Sequence, residues 1–304
     1  MLRILISDGM EKEAVNTLKS MNLDVVDKHY EKDELIEEIK NFDVIIVRSN
    51  TKIKKDVIDA ALVTRRLKLI IRGGVGLDNI DVAYAEANGI EVRNTPNASS
   101  ISVAELAIGH MFNLARFIHN SNITMRQGQW NKKAYEGIEM FNKTLGLIGF
   151  GRIAKETAKR ADALGMNVVY TNTRGELKDY KYKYLPMDEL LKTSDFVSIH
   201  IPHSGDKAVI GKKEIEMMKD GAYIINCARG GVVDEDALLE ALNNNKLAGA
   251  AIDVFVEEPT KNISLLSHDK VSCTPHIGAS TKEAQTRIGD EIVEIISNYI
   301  KERA

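Results

Sequence analysis

Residues 146–165 read GLIGFGRIAKETAKRADALG, and their reading decides the fold. An apolar run, TLGLI (144–148), ends on Gly149; Gly151 follows, and small and apolar residues then recur at helical spacing from Arg152 onward. Strand, glycine turn and helix in that order, with Gly149, Gly151 and Ala154 spaced as G-x-G-x-x-G/A, predict a dinucleotide-binding βαβ unit. Gly149 permits the tight turn, Gly151 lets the backbone approach a pyrophosphate, and Ala154 lets the helix pack close to the strand. The helix N-terminus adds amides and a positive dipole for the phosphates. The next strand, MNVVYT (166–171), ends where such a fold places a carboxylate for the adenosine ribose. Asn172 stands there instead, with Arg174 two residues on. A side-chain oxygen at Asn172 still accepts hydrogen bonds, but the negative charge that would repel a 2′-phosphate is gone.

Outward from that stretch, β-rich runs alternate with helical patterns. Before it stand LRILIS, LDVVD, DVIIVRS, LKLIIR and IEVRN, separated by amphipathic segments such as EAVNTLKSM and KDELIEEIKN. After it stand MNVVYT, DFVSIHIP, AYIINCA, AGAAIDVF and KVSCT, which with TLGLIG make six strands. This rhythm predicts an α/β protein with two doubly wound parallel sheets. The expected organisation is a substrate domain at 1–95 plus 283–304 and a dinucleotide-binding Rossmann domain at 96–282. The stretch SSISVAELAIGHMFNLARFIHNSNITMRQG reads as one long, largely buried helix, and STKEAQTRIGDEIVEIISNYIKERA as a closing helix that returns to the first domain.

Over 304 residues, 44% hydrophobic and 28% charged residues describe an ordinary globular chain. A net charge of −3 offers no global attraction to nucleic acid or to an anionic membrane. The N-terminal apolar run is too short for a signal peptide, and none approaches the roughly 18 residues that span a bilayer; a cytoplasmic protein is expected. Cys227 and Cys273 both sit in strand-like runs and read as reduced core residues, with no spacing that suggests a metal site.

Three strands of the second series end on polar groups: Arg229 after AYIINCA, Glu258 after AGAAIDVF, and His276 after KVSCTP. Strand carboxyl ends line the ligand crevice of a doubly wound sheet. Delivered there together, the three make an acid–base site for hydride transfer at a carbon bearing a hydroxyl beside a carboxylate. His276 exchanges the hydroxyl proton, Glu258 orients the imidazole, and Arg229 holds the carboxylate in its planar fork. Gly230 and Gly231 are expected to let a substrate approach the backbone.

The motifs GFGRIA, NCARGGVVDEDAL, AAIDVFVEEP and TPHIGAST resemble those of the D-isomer-specific 2-hydroxyacid dehydrogenases. The resemblance runs through VRSNTKI, IRGGVGLDNID, VRNTPNASSISVAEL and QGQWNKK, and so covers nearly the whole chain. It implies a flavodoxin-like substrate domain and assigns Arg229, Glu258 and His276 as the family's arginine, glutamate and histidine. It implies cofactor contacts at Gly149, Gly151, Arg152, Ile153, Asn172, the turn His200, Ile201 and Pro202, at Cys227, Ala228 and Arg229, and at Asp253, His276, Gly278 and Ala279. The loop Gly73, Gly74, Val75 and Gly76 matches a cradle for the substrate carboxylate, with Val75 in place of a frequent threonine. Arg48, Lys132 and Lys133 match basic positions suited to a substrate phosphate. The expected reaction is oxidation of 3-phosphoglycerate in serine biosynthesis. Reduction of glyoxylate or hydroxypyruvate is the alternative within the family, and a non-catalytic dinucleotide-sensing scaffold the alternative outside enzymology. The family's usual cofactor is NAD, so NAD is expected, with discrimination against NADP relaxed by Asn172. A homodimer through the dinucleotide-binding domains is implied as well. The chain stops soon after the closing helix, so a C-terminal amino-acid-binding regulatory domain is not expected.

Overall fold

A computed structural model of the chain describes residues 1–203, 205 and 207–303. The chain divides into two compact units, Met1–Ser99 with Ala279–Ala304, and Ser100–Gly278.

The first unit opens with β1 (Arg3–Ile6), α1 (Lys12–Ser20), β2 (Asp24–Asp27), α2 (Lys32–Glu38), β3 (Val44–Val47), α3 (Lys55–Leu62), β4 (Leu69–Arg72), α4 (Val82–Ala87) and β5 (Glu91–Asn94). Its five strands are all parallel in the order β2-β1-β3-β4-β5, the flavodoxin-like arrangement. Ile4, Leu5, Ile6, Val44, Ile45 and Ile46 are essentially inaccessible, as continuous apolar strands covered on both faces require. Each such side chain contributes about 1.5–3 kcal/mol relative to exposure.

The second unit begins with α5 (Ser100–Arg116) and α6 (Ile118–Arg126). It continues through β6 (Thr144–Ile148), α7 (Arg152–Ala163), β7 (Asn167–Thr171), β8 (Lys183–Tyr184), α8 (Met187–Thr193), β9 (Phe196–Ile199), α9 (Lys212–Met217), β10 (Ala222–Asn226), α10 (Glu235–Asn243), β11 (Leu247–Ile252), α11 (Ile263–Leu266) and β12 (Val271–Cys273). The strands are parallel in the order β12-β11-β10-β9-β6-β7-β8. The order reverses between β6 and β9, so the turns after these two strands flank the crevice of a Rossmann sheet. Finally α12 (Lys282–Lys301) packs Ile288, Ile292, Ile296 and Tyr299 into the core of the first unit, beside Ile4, Val15 and Leu18.

Three expectations differ from the structure. The two-residue strand β8 extends the second sheet to seven strands; KY is too short to carry a periodic signal. The long helix from Ser99 is two helices, bent by 63° at Phe117, whose φ of +53° is incompatible with a continuing helix. The first, α5, is core, with Ala104, Ala107 and Met111 inaccessible, whereas α6 buries no side chain in its own chain. Cys227 is buried but Cys273 is exposed, because strand alternation turns it opposite to buried Ser272. Among the described residues, no single helix is long and apolar enough to cross a membrane.

Candidate active site

The glycine turn after β6 separates into two kinds of glycine. Gly149 has φ +87°, and a Cβ on it would stand 2.6 Å from the His200 carbonyl oxygen, so its bareness serves the packing of two strand ends. Around a Cβ on Gly151 nothing lies within 4 Å. Among the described residues no neighbour therefore requires a glycine there, and the open space sits at the N-cap of the twelve-residue helix α7. That is the cradle a pyrophosphate needs, with helix amides and dipole aimed at it. Ala154 is fully buried against the sheet, Arg152 is exposed and Ile153 half-buried.

At the end of β7, Asn172 Oδ1 accepts the backbone N–H of Arg174 at 2.6 Å, while its Nδ2 is buried with no hydrogen-bond partner among the described residues. The oxygen expected to meet ribose hydroxyls thus already closes its own turn with one of its two lone pairs, and the amide group beside it is a spare donor. A buried, unpartnered amide is a costly feature, and a ligand oxygen relieves it. Arg174 is exposed. The turn after β9 carries His200, Ile201 and Pro202; Ser198 Oγ bonds His200 Nε2 at 2.9 Å, and desolvation pushes that imidazole down to about 4, so it is neutral. The fit to a dinucleotide is therefore good, from the open cradle at Gly151 to the orphaned donor at Asn172.

The turn after β10 is folded by a buried side chain the sequence did not single out. Asn226 Oδ1 accepts from Ala228 N at 3.1 Å and Nδ2 donates to Arg229 O at 2.9 Å, fixing the backbone from which Arg229 projects. Arg229 Nη1 donates to Ala228 O at 2.6 Å. Cys227 is a small hydrophobe there: burial, and next the Asp253 carboxylate, push its thiol far above its ordinary range. Gly230 touches the next strand end. A Cβ on it would fall 1.8 Å from Phe255 O and 2.2 Å from Phe255 C, so this glycine is required by the protein's own backbone and not, as expected, by a substrate. Gly231, at φ +78°, lies against the His203 ring.

Beyond β11, Glu258 uses both oxygens: Oε1 accepts from Phe255 N at 3.1 Å and Oε2 meets His276 Nδ1 at 2.7 Å. The carboxylate accepts, so Nδ1 carries the proton and Nε2 is the atom left to take one from a substrate. Both side chains are 39% exposed, which keeps them reachable. His276 has φ +53°, a conformation that costs a non-glycine residue about 1–2 kcal/mol. It is held there by its N–H to Asp253 O at 2.8 Å. Asp253, expected to contact the cofactor, is only 1% exposed. Its oxygens accept from Thr274 Oγ1, Ile277 N and Gly278 N at 2.5–2.9 Å, so it organises the histidine turn. Ala279 begins the other unit.

In the first unit Asp8 clamps the loop bearing Arg48, accepting from Arg48 N at 2.7 Å and from Thr51 N and Oγ1 at 3.0 and 2.6 Å. The Arg48 stem lies by the glycine loop, its Cγ 3.7 Å from a Cβ built on Gly73. Arg72, at the end of the apolar strand β4, lays its guanidinium over Gly74, at φ +149°. Asn94 Nδ2 donates to Val75 O at 2.6 Å and steadies the loop. Two arginines thus border the loop matched to a substrate carboxylate. Lys132 and Lys133 are exposed on a short 3-10 turn of the second unit.

Residues 108–278 match the family model described as D-isomer specific 2-hydroxyacid dehydrogenase, NAD binding domain. The chain is 48% identical to a hydroxypyruvate reductase of Thermotoga maritima over 97% of both chains. It is 44% identical to a D-3-phosphoglycerate dehydrogenase of Methanocaldococcus jannaschii over 99% of this chain, spanning 58% of that protein. A crystal structure of D-lactate dehydrogenase from Aquifex aeolicus, complexed with NAD and lactic acid, superposes with a TM-score of 0.87 at 30% identity, covering 99% and 96% of the two chains.

Proposed function

The chain belongs to the D-isomer-specific 2-hydroxyacid dehydrogenase family, and on that premise we propose that it interconverts a three-carbon D-2-hydroxy acid and its 2-keto acid, with 3-phosphoglycerate the substrate its residues favour. The observation that carries the chemistry is the 2.7 Å His276 Nδ1 to Glu258 Oε2 bond, which leaves Nε2 ready to exchange a proton. Arg229, on the neighbouring strand end, grips the substrate carboxylate and draws charge toward the reacting oxygen. The nicotinamide cofactor, when bound, accepts or returns the hydride. Gly149, Gly151 and the start of α7 hold its pyrophosphate, Asn172 its adenosine ribose, and the turns at His200–Pro202 and Cys227–Arg229 border the rest.

The phosphate reading rests on Arg48 and Arg72 beside the Gly73–Gly76 loop. Hydroxypyruvate, the same carbon skeleton without the phosphate, is the second reading, favoured by the 48% identity along the full reductase. Initial rates with 3-phosphoglycerate, D-glycerate, D-lactate, hydroxypyruvate and glyoxylate decide between them. If the phosphate reading holds, Arg48→Ala weakens 3-phosphoglycerate by about tenfold more than D-glycerate, the value of one charge-assisted bond. Equal losses on both remove Arg48 from phosphate binding.

For the cofactor we propose NAD, with weak discrimination against NADP. In Asn172→Asp one carboxylate oxygen keeps the Arg174 N–H, and the other replaces the orphaned donor with an acceptor for ribose hydroxyls. The new charge repels a 2′-phosphate, so the NAD-to-NADP ratio of kcat/KM rises by about tenfold or more. An unchanged or lower ratio would show that position 172 does not read the ribose.

We also propose a homodimer through the second unit. Support comes from α6, which buries nothing and exposes Ile118 and Met125, followed by exposed Trp130 and Phe141. Light scattering is expected to give twice the chain mass; a monomer at micromolar concentration refutes the pairing.

A further inference from the structure

A histidine on α5 has no part in the chemistry described above. His110 is 4% exposed, yet both ring nitrogens are bonded: Nδ1 to Ser272 Oγ at 2.8 Å and Nε2 to Thr274 Oγ1 at 3.1 Å. Ser272 and Thr274 are alternate residues of one extended segment, so both face α5 while Cys273 faces away.

The direction of each bond follows from one end. Thr274 Oγ1 donates to Asp253 Oδ1 at 2.5 Å, which commits its only proton. The Thr274 oxygen must then accept from His110, which puts the imidazole proton on Nε2 and leaves Nδ1 an acceptor. Ser272 therefore donates to Nδ1, and its oxygen receives Asn113 Nδ2 at 2.6 Å. Burial depresses the ring's basicity, against an opposing pull from Asp253, so the neutral form that this chain demands is the form present. At the far end Asp253 accepts from Ile277 N at 2.8 Å and Gly278 N at 2.9 Å, and its carbonyl accepts from His276 N. Val103 of the same helix lies 3.2 Å from a Cβ built on Gly278, so α5 also supports the turn by packing.

We propose that His110 is a positioning residue for the acid–base histidine: from the core helix it fixes the Thr274 hydroxyl, through it the Asp253 carboxylate, and through that carboxylate the left-handed turn that presents His276. The proposal rests on the reading of His276 as the acid–base group. A buried histidine that only stabilised the fold would leave the turnover of folded molecules unchanged.

The test uses the whole chain with 3-phosphoglycerate and NAD, and with hydroxypyruvate and NADH. His110→Leu removes both bonds, His110→Gln restores a donor toward Thr274, and Thr274→Val cuts the chain at its next link without touching the helix. Expected are a fall of about tenfold or more in kcat for His110→Leu and Thr274→Val, with KM changed less than about threefold, and substantial recovery in His110→Gln. The double variant His110→Leu with Thr274→Val loses little more than either alone, as links of one chain do. Amide exchange in the protein without cofactor supplies a readout independent of catalysis: Ile277 and Gly278 exchange about tenfold faster in both single variants, and the β10 amides do not. Unchanged exchange at Ile277 and Gly278 overturns the proposal, as does a kcat within about twofold of wild type in folded Thr274→Val. Should exchange rise while His276→Ala keeps full turnover, the acid–base reading has failed and the structural coupling has not.

Discussion

Replacing His276 by alanine lowers kcat by about 100-fold or more while the dinucleotide still binds, because general acid–base transfer contributes about 10²–10⁴ to rate. The geometry makes His276 hard to replace. Its Nδ1 is committed to Glu258 and its backbone is fixed in a left-handed turn, which leaves Nε2 for the proposed proton exchange. None of the residues placed at the pyrophosphate or ribose bonds its side chain, so cofactor affinity, read by quenching of protein fluorescence or by calorimetry, stays within a few-fold of wild type. A folded His276→Ala protein that turns over at the wild-type rate ends the mechanism.

The second large effect is expected at a residue with no side chain. In Gly230→Ala the new methyl would overlap Phe255 O and C at 1.8 and 2.2 Å and Val256 N at 2.9 Å, all backbone atoms that no rotamer change can clear. One of two segments must move. The first carries Arg229 on the adjacent residue; the second carries Glu258, whose Oε1 holds Phe255 N. Either way Arg229, proposed to grip the substrate carboxylate, and Glu258, the partner of His276, move apart. Overpacking of this kind costs about 1–3 kcal/mol, and a displacement of about 1 Å near the chemistry costs about 100-fold in rate. The expected result is a melting temperature lowered by several degrees together with that loss of kcat/KM. Gly151→Ala is the control: with nothing within 4 Å of the added methyl and φ at −81°, it keeps stability and weakens the dinucleotide alone. Wild-type melting and turnover in Gly230→Ala contradict the packing argument.

Most of the architecture was legible because parallel strands buried on both faces write themselves as unbroken apolar runs, VIIV and LIIR among them. What escaped has identifiable causes. The break at Phe117 hangs on one φ angle that apolar periodicity cannot register, and β8 is too short for any period. At the site, Arg229, Glu258 and His276 were readable as polar residues at strand ends. Roles that depend on which way a side chain faces were not. That the Asn172 oxygen closes the turn to Arg174 while its amide is left as a buried donor shows only in the folded chain. That both oxygens of Asp253 serve the histidine turn shows only once the chain is folded. Asn226 opens the motif NCARGGVVDEDAL, yet its part in folding the turn shows only in its bonds to Ala228 and Arg229, and His110 carries no motif because its partners Ser272 and Thr274 lie far away in sequence.

The division of the chain also bears on the order in which its parts can fold during synthesis. Residues 100–278 form one uninterrupted unit, whereas the first unit draws Ile288, Ile292, Ile296 and Tyr299 from α12. On the ribosome, then, strands β1–β5 emerge before the second unit yet are completed after it. The second unit has every residue of its core in hand while the first still shows an uncovered apolar face, which closes only once α12 has followed. Nascent chains stalled before α12 are accordingly the ones that most need a chaperone.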